Sequence, residues 1–151
     1  MKKILFVCHG NICRSPLAEF IFKNMVAEKG ASDRFVIESC GTSAEELGNP
    51  VYPPVKRLMK EKGIAFEERY ARLMTKSDYD RFDYIVAMDS RNLRNLPKYV
   101  GTDPEGKVSL LMDYTDRPGD VSDPYYSRNF EETWNDIYEG CKCLFEKLEE
   151  L

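Results

Sequence analysis

Four short apolar runs, at residues 3–7, 34–41, 82–89 and 107–112, are each separated from the next by a segment with helical spacing or helix-capping residues. This alternation restricts the fold more than any other feature. Strands that alternate with helices form a parallel sheet, because each crossover returns the chain to run in the same direction, and the helices cover both faces. In such sheets ligands bind beyond the carboxyl ends of the strands, where strand order reverses. The loop after the first run is therefore the first place to look for function. The long loop after the fourth is the second.

The intervening segments can be read from spacing and end signals. Ser15 is a residue type that caps helices and Pro16 suits the first helical position. "LAEFIFKNMVAEKG" then predicts an amphipathic helix closed by Gly30. A loop containing Gly and Pro runs to about Tyr52, and 53–63 predicts a helix with its own terminal glycine. Residues 64–75 are ambiguous, 75–82 predict a short helical turn, and a helix runs from Ser90 to about Leu96. Residues 113–129, rich in Asp, Pro and Gly, predict a long loop. From there Phe130, Trp134, Ile137, Tyr138, Cys141, Leu144, Phe145 and Leu148 recur at 3,4-spacing, which predicts a docked C-terminal helix.

A length of 151 residues predicts one domain, 1–151, with one substantial core. The net charge of −4 disfavours broad binding to nucleic acid or to an anionic membrane, so any anion site must be local. "MKKILFV" is not read as a secretory signal, because the apolar run at 4–8 is too short and breaks at His9, Gly10 and Asn11. Five cysteines, an odd number without such a signal, predict a reduced, cytoplasmic protein.

The stretch "VCHGNICRSP" (7–16) joins the first strand to a helix start. Such a junction presents unpaired backbone N–H groups and the positive end of the helix dipole. Gly10 and Asn11 tolerate the positive φ that a tight curl requires. Arg14 can reach back and clamp two oxygens of a tetrahedral oxyanion. The same donors favour a thiolate at Cys8, and a thiolate beneath a bound phosphoryl group is a nucleophile. A buried structural cysteine or a surface arginine accounts for either residue alone, but not for both at the ends of this loop. Cys8, His9 and Cys13 do not make a metal site, which wants four ligands at recognisable spacings. His9 is the only histidine, so a Cys-His-Asn or Ser-His-Asp triad would have to use it, and no partner pattern supports that.

"VCHGNICRSPLAE" closely resembles the signature of the low-molecular-weight protein tyrosine phosphatases. The resemblance continues, in order along essentially the whole chain, through "ESCGTS" (38–43), "FDYIVAMD" (82–89) and "DPYY" (123–126). It implies an α/β fold of three layers: a four-stranded parallel sheet in flavodoxin-like order, helices on both faces, and a phosphate-binding loop after the first strand. It implies hydrolysis of protein phosphotyrosine and small aryl phosphates through a phosphocysteine, with no metal and no cofactor. By position, Cys8 would be the nucleophile and Arg14 the phosphate clamp. The backbone of His9, Gly10, Asn11, Ile12 and Cys13 would cradle the phosphoryl oxygens. Ser15 would donate to the Cys8 thiolate, and Asn11 and Ser39 would hold the loop's shape. The partners implied are phosphotyrosine-containing proteins, with inorganic phosphate and other oxyanions as inhibitors. Neither nucleic acid nor membrane is implied, and a monomer is expected.

A phenolate leaves more easily if protonated as it departs. The 113–129 loop offers Asp113, Asp116, Asp120 and Asp123, and sequence physics does not choose among them. Asp-Pro is ordinarily a turn signal, and Asp103 before Pro104 is read only as that. The resemblance singles out Asp123 as the acid, with Tyr125 and Tyr126 at the mouth to stack on an aromatic substrate. The chain departs from the family pattern in three places. His9 stands where an apolar residue is frequent, Glu45 where many relatives have an aromatic wall residue, and Arg69 where a histidine often supports the loop. These leave the chemistry intact and alter substrate preference; Glu45, among the residues facing substrate, is expected to disfavour acidic phosphopeptides.

Two rival functions have distinct requirements. A thiol-dependent arsenate reductase relays a disulfide through further cysteines, and none lies in 44–140. Cys141 and Cys143 are two apart on a helix, so they point about 200° apart, one toward the core and one away. A non-catalytic phosphoprotein-binding module would not need both Cys8 and an acid. Cys13 lies five residues after Cys8 on a curled loop, and a disulfide needs Cα atoms within about 7 Å. A reversible Cys8–Cys13 disulfide is therefore expected under peroxide.

Overall fold

The computed structural model describes residues 1–150. Four strands, β1 (Lys2–Cys8), β2 (Phe35–Gly41), β3 (Tyr84–Ala87) and β4 (Val108–Leu110), form one all-parallel sheet in the order β2-β1-β3-β4. The helices are α1 (Arg14–Glu28), α2 (Pro53–Glu61), α3 (Ser77–Arg81), α4 (Ser90–Asn95), α5 (Pro97–Val100), α6 (Pro124–Ser127) and α7 (Phe130–Glu149). The order is the flavodoxin-like one expected. It places β1 between β2 and β3, so the chain leaves β1 toward one edge and later fills the other. That reversal opens a crevice at the carboxyl end of β1, where Cys8 is the last residue.

The strands are short and apolar because both faces are covered. Ile4, Phe6 and Cys8 join a core with α1 and α7, whereas Leu5 and Val7 join one with Cys40, Tyr79, Ile85 and Leu96. Period-two alternation along one strand thus divides the interior into two layers. Gly140 brings α7 onto the turn after β4, since a Cβ there would sit 2.5 Å from Leu111 Cγ. The C-terminal helix buries Trp134, Ile137, Cys141, Leu144, Phe145 and Leu148 as the spacing predicts. Cys141 is fully buried and Cys143 is not, also as expected. Tyr138 is the exception: it is 43% exposed and stacks on Trp134 at 5.6 Å.

Several expectations need correction. Helix α1 begins at Arg14, with Cys13 at the N-cap position, so Ser15 does not cap it and Pro16 is not its first residue. Ser15 is drawn inside, where its hydroxyl meets Cys8 and Asn11. The first half of α1 is also not amphipathic, because Arg14 through Phe22 are all buried. The strands at 82–89 and 107–112 are shorter than their apolar runs. Phe82, Met88, Leu111 and Met112 are apolar because they are buried beyond the ladder. Leu111–Tyr114 turns into a 3₁₀ helix, and the loop expected at 113–129 contains α6. Residues 64–75 form neither helix nor regular strand, and are tied down by isolated bridges from Leu73 to Gly41 and from Tyr70 to Pro50.

Candidate active site

Cys8 ends β1, and the chain curls through residues 9–13 into α1. The curl turns on Asn11, whose φ of +60° is left-handed, a conformation asparagine accepts more readily than most residues. Two neighbouring segments hold the curl's backbone in place. Thr42 N donates to Cys8 O and Ser43 N to His9 O, both at 3.0 Å, so the chain after β2 continues the ladder onto the loop. Tyr52 N donates to Ile12 O at 2.9 Å. Gly41 permits this approach, because a Cβ there would lie 2.7 Å from His9 O.

Asn11 is buried and every polar group of its side chain is used. Its Nδ2 donates to Ser15 Oγ (2.8 Å) and Ser39 Oγ (3.1 Å), and its Oδ1 accepts from Arg69 Nη2 (2.8 Å) and the Arg72 amide (3.0 Å). The Asn11 amide points at Cys8 Sγ, 3.3 Å away. Ser15 Oγ stands 3.0 Å from the same sulfur. Ser15 Oγ accepts from Asn11, and its hydrogen has two acceptors within reach, the sulfur at 3.0 Å and the Cys40 carbonyl at 3.4 Å. Two donors therefore converge on Sγ at the N-terminus of a 15-residue helix, an arrangement that stabilises a thiolate.

Arg14 is 2% exposed and held by partners from two segments. Its Nη1 donates to Asp89 Oδ2 at 2.7 Å and to Val121 O at 2.8 Å, and its Nη2 lies 3.5 Å from Asp123 Oδ2. Burial alone would lower the Arg14 pKa, but the Cys8 sulfur, Asp123 and Asp89 outweigh it and the net direction is upward. Asp89 is the N-cap of α4, fixed by a reciprocal pair of bonds with Asn92. Burial pushes its carboxyl up; the Arg14 guanidinium and the α4 amides prevail and hold it below the usual range.

The four candidate acids separate in space. Asp123 lines the cleft over Cys8, its side chain about one quarter exposed, and Oδ1 accepts from Tyr125 N as the N-cap of α6. Asp120 is occupied by the amide and hydroxyl of Ser90, and Asp113 by the Leu110 amide. Neither they nor Asp116 line the cleft. Tyr125 and Tyr126 stand at the mouth, 43% and 71% exposed, their rings 5.3 Å apart. The cleft also brings together His9, Gly10, Ile12, Cys13 and Glu45. Ser15 and Ser39 lie beneath its floor.

Some participants had no visible signal in the sequence. Asp89 belongs to the quoted "FDYIVAMD", but nothing there says that it faces Arg14 across 75 positions. Glu19 looks like a surface helix residue, yet it is 5% exposed and accepts from Ser39 Oγ (2.5 Å) and Lys23 (2.7 Å). Arg69, noted only as a departure, pairs with Glu19 and donates to the carbonyls of Asn11 and Ser39. Glu46 adds a second carboxylate to the rim. Among the described residues, no three His, Cys, Asp or Glu side chains are grouped to hold a metal ion. Nor is any described helix long and apolar enough to cross a membrane.

Comparison with known proteins agrees with this geometry. Residues 3–151 match the family model for low molecular weight phosphotyrosine protein phosphatase. The chain is 38% identical over 151 residues to the low molecular weight protein-tyrosine-phosphatase YfkJ of Bacillus subtilis, covering 99% of this chain and 97% of that one. It is 45% identical over 128 residues to the Schizosaccharomyces pombe low molecular weight phosphotyrosine protein phosphatase, covering 82% and 81%. The crystal structure of YfkJ superposes with a TM-score of 0.95, covering 99% and 96% of the two chains. A protein tyrosine phosphatase from Entamoeba histolytica, with Hepes in its active site, superposes at 0.91 with 31% identity, covering 99% and 98%.

Proposed function

This chain belongs to the low molecular weight phosphotyrosine protein phosphatase family, cysteine-based and metal-independent hydrolases, and from its phosphotyrosine hydrolase activity we propose the following roles for its own residues. Cys8 Sγ attacks phosphorus in line with the tyrosyl oxygen. As the P–O bond breaks, Asp123 gives its proton to that oxygen and tyrosine leaves. The product is a phosphocysteine. Asp123, now a carboxylate, takes a proton from water, whose oxygen attacks phosphorus. The S–P bond breaks, restoring the Cys8 thiolate and releasing inorganic phosphate. Arg14 and the amides of residues 9–14 stabilise the transferring group by position and charge.

One observation supports this reading above the rest: a thiol with two converging donors, a buried guanidinium and a partly exposed carboxylate share one cleft. The guanidinium is anchored by Asp89 and the Val121 carbonyl, so its plane is held in position before substrate arrives. The tyrosines at the mouth suit an aromatic leaving group. Arsenate reduction is not favoured: it relays a disulfide through further cysteines, none lies in 44–140, and Cys40 and Cys141 are fully buried. Five unpaired cysteines support a reducing, cytoplasmic setting, and we read the protein as a monomer. The test is hydrolysis of an aryl phosphate, with and without arsenate and a reductant. Phosphate release without either, trapped as a covalent phosphoprotein on rapid quenching, supports the scheme; arsenite production that consumes thiol overturns it.

A further inference from the structure

The mouth of the cleft has two unlike walls. Tyr125 and Tyr126 form one, and Glu45 and Glu46 the other. Glu45 is not a loose surface side chain. His9 Nε2 lies 3.2 Å from its Oε2, and the segment carrying it is fixed by the Ser43 N to His9 O bond and by Glu45 N donating to Ser43 Oγ at 3.1 Å. The His9 side chain is 19% exposed, and its Nδ1 is buried with no hydrogen-bonding partner among the described residues, so Glu45 is the ring's one polar contact. Glu45 itself remains 68% exposed. Glu46 is held by Asn49 and rests against Gly10.

The surrounding cations do not neutralise this wall. Arg14 lines the floor, anchored by Asp89 and close to Asp123, and Arg69 is paired with Glu19 beneath it. Arg128 sits behind the aromatic wall, donating to Tyr52 OH and covering the rings of Tyr52 and Phe130. Positive charge is thus confined to the floor, where the phosphate goes, and negative charge to one side of the rim, where the residues flanking a phosphotyrosine must pass.

We propose that this rim is a charge filter: Glu45, aimed by His9 and assisted by Glu46, selects phosphotyrosine flanked by a basic side chain. The proposal rests on the phosphotyrosine reading above and concerns only what surrounds the phosphorylated residue. Glu45 is the specificity-determining group and His9 a positioning residue. Without its tether the Glu45 side chain would spread over its rotamers and its field at the mouth would weaken. Each exposed ion pair contributes about 1.5- to 5-fold, and opposite-sign flanks differ by both an attraction and a repulsion. The expected discrimination is about 2- to 25-fold at low ionic strength, fading as salt screens the rim.

The experiment compares kcat/KM for three matched phosphotyrosyl peptides flanked by Lys, Gln or Glu, at low and high salt, beside a small aryl phosphate without flanks. Binding of the same peptides to the Cys8→Ser protein is measured in parallel. The expected order is Lys over Gln over Glu in both assays, collapsing at high salt and in Glu45→Gln, and inverting in Glu45→Lys. His9→Ala should narrow the Lys-to-Glu ratio and His9→Gln, which keeps a donor, should restore it. A flat or reversed order in binding overturns the filter even if turnover is normal. The order surviving in Glu45→Lys also overturns it. Peptides that bind in the expected order but are never cleaved, with the aryl phosphate also untouched, count instead against the catalytic reading and leave the filter standing.

Discussion

Arg14 Nη1 meets Asp89 Oδ2 at 2.7 Å, tying the first residue of α1 to the cap of α4 across the end of the sheet. The same nitrogen reaches Val121 O, so one guanidinium links the phosphate loop to the segment carrying Asp123. Removing Asp89 should therefore unsettle both halves of the site. Asp89→Asn is expected to lower kcat/KM by up to about 10²-fold, the cost of a small misplacement. It should also destabilise the fold by about 1.5–3 kcal/mol, the range for a hydrogen bond to a charged group. Because the folded Asp89 carboxyl is held below its usual value, its contribution is present above about pH 4 and is lost as pH falls through the folded value. Denaturant melts across pH should show the wild-type advantage shrinking on the acid side. An advantage unchanged down to pH 2 would assign the destabilisation to packing.

Cys8→Ser is expected to lower turnover by about 10⁴-fold or more, as removal of a nucleophile does elsewhere. Phosphate and vanadate should still bind competitively, because the amides and Arg14 remain. Single-turnover kinetics on a preparation free of wild-type protein checks this, and appreciable phosphate release would contradict the nucleophile assignment.

Asp123→Ala should slow tyrosyl phosphate cleavage by about 10²–10⁴-fold. An aryl phosphate with a strongly acidic phenol should lose much less in its phosphorylation step, since a stable phenolate departs without a proton. Asp113, Asp116 and Asp120 are the controls. Asp120→Ala frees the Ser90 contacts and is expected to cost stability without any leaving-group dependence. Leaving-group dependence in a control and not in Asp123→Ala would relocate the acid.

Gly41→Ala tests the support of the loop without touching its chemistry. The new methyl would press on the His9 carbonyl, which is backbone and cannot rotate away. A loss of about 1–3 kcal/mol is expected, as for overpacked sites, with a parallel loss of phosphate affinity. Thermal melts with and without phosphate measure both; unchanged phosphate stabilisation would show that the loop absorbs the methyl.

Mild peroxide is expected to produce a reversible Cys8–Cys13 disulfide. Peroxide entering the cleft oxidises Cys8 to the sulfenic acid, and the Cys13 thiol attacks that sulfur, closing the disulfide and releasing water. Peptide mapping should find the linkage, and thiol should recover activity. A map showing only overoxidised Cys8 would exclude it.

The sequence by itself determined the layer architecture and the location of the cleft. Strand-helix alternation and period-two burial are local patterns, and the strand-to-helix junction at residues 8–14 is continuous in the chain, so Cys8 and Arg14 could be paired from spacing. The family motifs supplied the strand order, which local spacing does not encode. Where local rules failed, burial was the cause. Ser15 has a capping residue's chemistry, but the interior offered its hydroxyl a sulfur and an amide, and the helix began two residues earlier. Phe82 and Leu111 are apolar for the core and not for the ladder.

Only the tertiary structure decided which distant charges meet. Glu19, Arg69, Asp89 and Asp123 come from four separate segments, and each looks like an ordinary surface residue in its own neighbourhood. Their proximity follows from parallel strands ending on the same side of the sheet, which gathers the loops after β1, β2, β3 and β4 around one point. A pairwise electrostatic contact depends on distance in space, and distance along the chain carries no information about it once the fold brings two residues 75 positions apart to within 2.7 Å.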